Sequence, residues 1–100
     1  EVFGMTKDYQ NSYNDFMSAI KIDPRYEMAL LGVGRVDIVL KKYDEALNYL
    51  NQAIDINPQR AASYYYRAIT QKSLGNEAGY QADRMKAKEL GYKFNDTSSP

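Results

Sequence analysis

This chain of 100 residues contains neither cysteine nor histidine, and it also lacks tryptophan. Without cysteine it can form no disulfide and no thiol intermediate, so redox chemistry gives no indication of its compartment. Without histidine or cysteine, the usual zinc sites, Ser-His triads and imidazole acid–base catalysis are excluded within this sequence. We therefore expect no enzyme activity, no cofactor and no metal site.

The sequence also lacks an excess of charge of either sign. It has 13 basic and 13 acidic side chains, so no global field attracts nucleic acid or an anionic membrane. Its longest apolar run is too short to span a bilayer, and its apolar content of 44% is ordinary for a soluble domain. We expect a soluble protein, with the cytoplasm favoured, that neither binds nucleic acid nor inserts into a membrane.

An internal repeat is the main positive signal. The segment 19–24 reads AIKIDP and the segment 53–58 reads AIDINP, so the two copies differ in number by 58 − 24 = 34, and we call this spacing the repeat period. The offsets before each copy also agree, as the pairs Tyr9 and Tyr43, Ser12 and Ala46, and Phe16 and Leu50 show. A fixed period in this range indicates stacked structural repeats.

Apolar residues recur at helical spacing in each unit, which predicts a series of amphipathic helices. The predicted helices span residues 9–22, 25–40, 43–56, 59–74 and 79–90. Residues 1–6 are interpreted as the last turns of an earlier helix, separated from the next by a turn at Lys7 or Asp8. They are either a frayed end or part of a longer array of repeats.

The ends of these helices carry recognisable signals. Pro24 and Pro58 disfavour helical geometry in the residue before them. Gly75 and Gly91 can adopt the left-handed conformation that ends many helices, and Asn76 suits the position before a first turn. Five helices separated by such signals predict an all-α fold.

The second repeat resembles the tetratricopeptide repeat (TPR) family through Gly34, Ala46, Leu50, Ala53 and Pro58. The resemblance implies antiparallel helix hairpins stacked as a short right-handed α-solenoid. The implied divisions are a partial first repeat at 1–24, a second repeat at 25–58, a third repeat at 59–91 and a polar tail at 92–100. We expect Ala53 to be fully buried where two helices cross, and the tail to be mostly disordered.

Several residues depart from the family pattern. Asp37 replaces an aromatic residue, and Tyr80 and Arg84 replace a small and a bulky residue in the third repeat. The charges of the last helix, Asp83 among them, are spread over much of its surface, which is typical of a terminal helix with no neighbour on its outer side. The last helix is therefore expected to be tilted or shifted.

The resemblance implies a protein-interaction module with a concave groove lined by the first helix of each repeat. The predicted lining residues are Met28, Leu31, Arg35, Ile38, Val39, Ala62, Tyr65, Tyr66, Ile69 and Lys72. Because most are apolar and the charges are few and basic, we expect an apolar or amphipathic peptide as partner. Tyr64 is predicted to lie in the core, whereas Tyr65 either lines the groove or packs between repeats.

Two alternatives stay open. The uncovered face of helix 9–22 favours homo-oligomerisation or an assembly scaffold within a longer array, and the groove is alternatively covered by an upstream helix or by Tyr92 and Phe94 of the tail. Some TPR domains clamp the acidic C-terminal tail of heat-shock chaperones. Here the clamp positions hold Gly32, Ala62 and Tyr66, which cannot donate a charge-assisted hydrogen bond, so that partner is not expected.

Overall fold

Five α-helices form the part of the chain that the computed structural model describes, which is the backbone of residues 2–94 and the side chains of residues 8–94. The helices are α1 (Val2–Ile22), α2 (Glu27–Val39), α3 (Tyr43–Ile56), α4 (Ala61–Ser73) and α5 (Glu77–Glu89). Each helix packs against its neighbours in sequence, and α2 also contacts α4. The predicted all-α class of stacked helix hairpins is confirmed.

Matching turns end α1 and α3. The side-chain oxygen of Asp23 accepts from the backbone N–H of Arg25 at 3.1 Å, and that of Asn57 accepts from Gln59 N–H at 3.1 Å. Asp and Asn favour this local turn, and the following proline prevents the helix from continuing. The repeat period of the sequence is therefore also a period of backbone structure.

Left-handed residues end the other helices. Gly75 and Gly91 have φ angles of +84° and +103°, as their predicted capping role requires, and Asn76 accepts the N–H of Gly79 at 3.0 Å as the predicted N-cap. Lys41, which lies one repeat period before Gly75, has φ +62°. A side chain in this conformation is strained, so Lys41 carries a cost that glycine avoids at the equivalent position.

The core lies where α2 crosses α3. Ala46, Leu50 and Ala53 are all 0% exposed, which confirms the predicted burial of Ala53. A Cβ atom added to Gly34 would lie 2.7 Å from Leu50 Cδ2, so only glycine allows this approach of the two helices. Small residues at the crossing thus let the larger side chains fill the space between repeats.

The predicted turn at Lys7 or Asp8 is wrong, because α1 is a continuous helix of 21 residues. Neither residue is a strong helix breaker, and no proline or Asn-Gly pair stands there. Residues 2–6 therefore belong to the same helix as Tyr9.

The C-terminal segment also differs from its prediction. Tyr92 stacks on Tyr65 with ring centroids 4.3 Å apart, and Phe94 lies 5.6 Å from the same ring. Aromatic contacts of this kind stabilise the segment against the helices, so the prediction of disorder is wrong for Tyr92 and Phe94. Residues 95–100 of the predicted tail lie outside the described residues.

The burial of Asp83 is another difference between the structure and the prediction, and an ion pair explains it. Asp83 is only 4% exposed, although the sequence suggested a solvated charge. Arg67 of α4 donates to both of its carboxylate oxygens at 2.8 Å, and also to Asn51 of α3 at 3.0 Å. A bidentate pair can keep a carboxylate charged inside a helix interface. This cluster therefore joins α3, α4 and α5.

Candidate protein-binding groove

A groove of about 330 Å³ lies between α1, α2 and α4, and we refer to it as the α1–α2–α4 groove. Its lining residues are Tyr9, Ser12, Phe16, Gly32, Arg35, Val36, Ile38, Val39, Tyr66 and Ile69. The lining is mainly aliphatic and aromatic. Such a concave apolar surface is typical of sites that bind protein segments or small molecules.

The position of Phe16 shapes the floor of this groove. Its ring lies against α2, where a Cβ atom on Gly32 would come within 2.6 Å of the ring. Glycine at this position therefore lets α1 approach α2 closely, with the ring held between them. The half-buried ring also lines the groove, so part of its apolar surface remains available to a ligand.

One charged side chain, Arg35, lies among the described groove residues. Its guanidinium carbon lies 5.3 Å from the centroid of the Tyr66 ring, which is a cation–π distance. Tyr66 in turn meets Tyr65 edge-to-face at 5.1 Å. The exposed arginine can therefore pair with an acidic group while its stem covers aromatic surface.

A second cavity, of about 510 Å³, lies between α4, α5 and the C-terminal segment, and we call it the α4–α5 pocket. Its lining residues are Tyr65, Ala68, Ile69, Lys72, Ser73, Tyr80, Arg84 and Phe94. The Lys72 ammonium lies 4.5 Å from the Tyr80 ring centroid, and the Arg84 guanidinium lies 4.7 Å from that of Phe94. This pocket is more polar and more positive than the groove.

Two carboxyl groups meet behind the groove, between α2 and α3. Asp37 is fully buried, and neither of its oxygens accepts a hydrogen bond from another described side chain or backbone group. Burial raises the pKa of Asp37 to about 7, and the adjacent Glu45 carboxyl adds to this effect. The protonated form of Asp37 is favoured in this site, because a buried carboxylate without a hydrogen-bond donor costs more free energy than the neutral acid.

Tyr13 connects this pair to α1. Its hydroxyl donates to Glu45 Oε2 at 2.7 Å, and this bond is the largest cause that raises the pKa of Tyr13 above its usual range. The Lys42 ammonium also lies 5.3 Å from the Tyr13 ring centroid. The hydrogen bond between Tyr13 and Glu45 links α1 to α3.

Seven of the ten residues predicted to bind a partner line one of the two cavities. The groove contains Arg35, Ile38, Val39, Tyr66 and Ile69, and the α4–α5 pocket contains Tyr65, Ile69 and Lys72. Their binding role stays a prediction. Tyr64 lies in the core as predicted, and its hydroxyl donates to the Pro58 carbonyl at 3.0 Å.

Three predicted residues lie outside both cavities. Leu31 is 4% exposed and packs in the core with Leu50, so the prediction that it lines the groove is wrong. Because α2 is apolar on nearly all sides, its sequence does not distinguish a core face from a groove face. Ala62 packs beside the same core cluster, and Met28 is 45% exposed away from the cavities.

The contribution of α1 was missed when the lining was predicted. Tyr9, Ser12 and Phe16 line the groove, although only the first helices of the repeats were expected to do so. They lie one repeat period before Tyr43, Ala46 and Leu50. This correspondence could have indicated the surface, because it marks these residues as a face made for packing against a helix.

Residues 2–94 contain no helix that combines the length and hydropathy needed to cross a membrane. Over the same part of the chain, His, Cys, Asp and Glu side chains form no group of three or more suited to a metal ion.

Comparison with known proteins identifies the repeat. The tetratricopeptide repeat family matches residues 34–60. The human tetratricopeptide repeat protein 6 (Homo sapiens) is 28% identical over 65 residues, which is 65% of this chain and 12% of that protein. The chain therefore spans a small part of its curated relative.

Two solved structures of MamA have the same fold. The MamA RS-1 ArsTM double mutant has a TM-score of 0.78 at 26% identity, covering 85% of this chain and 48% of its own. MamA AMB-1 also has a TM-score of 0.78, at 17% identity, covering 96% of this chain and 54% of its own. The chain spans about half of each structure. Residues 34–60 thus match the tetratricopeptide repeat family, and the described helices share the fold of the two MamA structures.

Proposed function

We propose that this chain is a non-catalytic protein-interaction module whose α1–α2–α4 groove binds a mainly apolar segment of a partner protein. The observation that carries the proposal is the groove itself, an open concave surface of aliphatic and aromatic side chains with one charged residue among those described. Repeats of this fold are generally used for protein binding, which supports the same class of function.

The lining suggests how binding is achieved. Tyr66 and Arg35 belong to the residue types that most often dominate the energy of protein interfaces. Val39 is 47% exposed at the edge of the groove, so contact with a partner would remove apolar surface from water. Because Coulombic attraction contributes little, affinity should depend only weakly on salt.

Selection of displayed peptides against the folded protein tests this proposal. We expect mainly apolar peptides whose binding is weakened at least about tenfold, or 1.4 kcal/mol, by Val39→Glu. Leu74→Glu is the matched control, because Leu74 is 41% exposed at the end of α4 and lines neither cavity. Selection of polyacidic peptides, or equal affinity of both variants for the selected peptides, would overturn the proposal.

The acidic chaperone tail is not expected to be the ligand, and this stays a prediction with a chemical basis. Gly32 lies beneath the Phe16 ring and Ala62 packs beside the core, so neither presents a donor to a carboxylate. We expect no heat in calorimetry with an acidic chaperone-tail peptide at about 100 µM, a concentration that would detect low-micromolar binding.

Self-association is the second candidate function. Ile22 at the end of α1 is 87% exposed and Met85 on α5 is 71% exposed, and both are large apolar side chains. If copies of the chain assemble through these residues, sedimentation velocity should show a larger species as concentration rises. Ile22→Glu together with Met85→Glu should then restore the smaller species.

A further inference from the structure

The repeat period of the chain relates a covered helix face to an uncovered one. On α3, Ala46 and Leu50 are 0% exposed because α2 lies across them, with Gly34 directly over Leu50. The residues one period earlier, Ser12 and Phe16 of α1, are only half-buried and line the groove. Among the described residues, the same face of the repeat is therefore covered by a helix on α3 but not on α1.

The contacts of Phe16 define which side is uncovered. Leu50 meets Gly34 of α2, and Tyr66 of α4 packs against the core cluster that contains Leu50. Gly32, which the Phe16 ring touches, is the residue one period before Tyr66. Phe16 therefore has a contact equivalent to the one between the Leu50 cluster and α4. Among the described residues, it has no contact equivalent to the one between Leu50 and α2.

The uncovered side specifies the chemistry of an occupant. A helix that crosses α1 as α2 crosses α3 needs glycine or alanine over Phe16, because Leu50 leaves room only for glycine at position 34. It also needs apolar side chains beside this small residue to cover Tyr9 and Val39, which line the same groove.

Charge gives one further requirement. Ile69 of α4 lies one repeat period after Arg35 of α2. It lines the groove together with three residues of α2, which are Arg35, Ile38 and Val39. An added helix would precede α2 by one repeat, as α2 precedes α4. Its residues equivalent to positions 35, 38 and 39 would therefore face Arg35 of this chain. Since no described groove residue carries a negative charge, an acidic side chain at one of these positions would complement the arginine.

We propose that the groove accepts one amphipathic helix of a partner protein, which packs across Ser12 and Phe16 with a glycine or alanine at the crossing and a carboxylate toward Arg35. The partner helix thereby supplies the packing that α2 supplies to α3. This inference rests on the proposed function and specifies the class of ligand that the groove binds.

A peptide with the sequence of residues 27–40 is the probe, because that sequence already crosses such a face inside the protein. The probe carries Arg35→Glu, which places a carboxylate opposite Arg35 of the intact protein. A free peptide of this length is largely unfolded in water. We expect a gain of helical circular dichroism on binding and a saturable change in fluorescence anisotropy.

Matched variants test the crossing. Affinity should fall at least about tenfold when the peptide also carries Gly34→Leu, or when the protein carries Ser12→Leu, which fills the crossing site. Asn14→Leu is the control for the protein, because Asn14 is exposed on the opposite side of α1. Thermal unfolding checks that both protein variants are folded. The Gly34→Leu change is made in the peptide alone, so it leaves the fold of the protein unaffected.

A charge swap tests the orientation. Protein carrying Arg35→Glu should bind the Arg35→Glu peptide less tightly and should prefer the peptide that retains arginine, which is the reverse of the unmodified protein. Binding without a gain of helix, equal affinity for Ser12→Leu and Asn14→Leu, or no reversal in the swap would overturn the helix proposal. If displayed peptides still respond to Val39→Glu in that case, the proposed function stands, and if they do not, both proposals fail.

Discussion

The two outer helices of the described part of the chain, α1 and α5, differ in chemistry, although some of their residues occupy equivalent positions of the repeat. Phe16, Leu50 and Arg84 follow one another at the repeat period. Leu50 is covered on both sides, Phe16 lines an apolar groove, and Arg84 lies against Phe94 in the more polar α4–α5 pocket. A charged side chain can stay hydrated at an open end, whereas an uncovered aromatic ring gains from a partner. The difference supports the α1–α2–α4 groove, rather than the α4–α5 pocket, as the binding surface that we propose.

Removing the covered side chain should have the largest effect on stability. We expect Leu50→Ala to lower the free energy of unfolding by about 4 kcal/mol, because a cavity remains between α2, α3 and α4. Phe16→Ala should cost less than half as much, since its ring already faces the groove. Urea denaturation of both variants measures the difference, and equal losses would show that Phe16 is as fully covered as Leu50.

The second largest loss of stability is expected at the ion pair between Arg67 and Asp83, which joins α4 to α5. Arg67→Ala leaves the Asp83 carboxylate in a buried site, so we expect a loss of about 3 kcal/mol. The loss should be smaller in a protein that already carries Asp83→Ala, because no buried charge is then left unpaired. A double-mutant cycle measured by denaturation tests this, and additive losses would contradict a direct coupling.

The carboxyl pair at the α1 end should instead respond to pH. The pKa of Asp37 is about 7 in the folded protein and near 3.8 in an unfolded chain, so folding favours the protonated form. Stability from this group is fully present below about pH 3.8 and is lost as pH rises toward 7, at no more than about 1.4 kcal/mol per pH unit.

Asp37→Asn should remove this part of the pH dependence. An amide has nearly the same shape as the protonated carboxyl and stays neutral across the interval. Comparison of the free energy of unfolding of both proteins at pH 5 and near neutral pH measures the effect. An unchanged slope in the variant would assign the titration to another group.

The smallest effect is expected at the helix ends. Lys41→Gly should stabilise the protein by about 0.5–1 kcal/mol, because it relieves a left-handed side chain but adds freedom to the unfolded chain. Gly75→Ala should have the opposite sign, because at φ +84° a side chain is strained even though no neighbouring atom obstructs a Cβ there. Thermal melts of the two variants should shift in opposite directions.

Sequence periodicity predicted the second repeat well, including the bounds of α3 and the buried alanines, because small residues at a fixed period have one structural use. The prediction failed where the type of a residue does not determine whether that residue is buried or exposed. Asp83 has the composition of a surface residue and is buried only because Arg67 lies opposite it. Because α2 is apolar on nearly all sides, its sequence likewise did not show whether Leu31 faces the core or the groove.

The packing of each helix mainly against its sequence neighbours also bears on how the chain folds. The close interfaces of the described helices join elements that are adjacent in sequence or, for α2 and α4, separated by one helix, and side-chain contacts also link α1 to α3. Closing such short loops costs little entropy, so the contact order is low and folding should be fast. A transition state built on α2 and α3 alone would contain the Gly34–Leu50 contact, and the outer helices would then add one at a time.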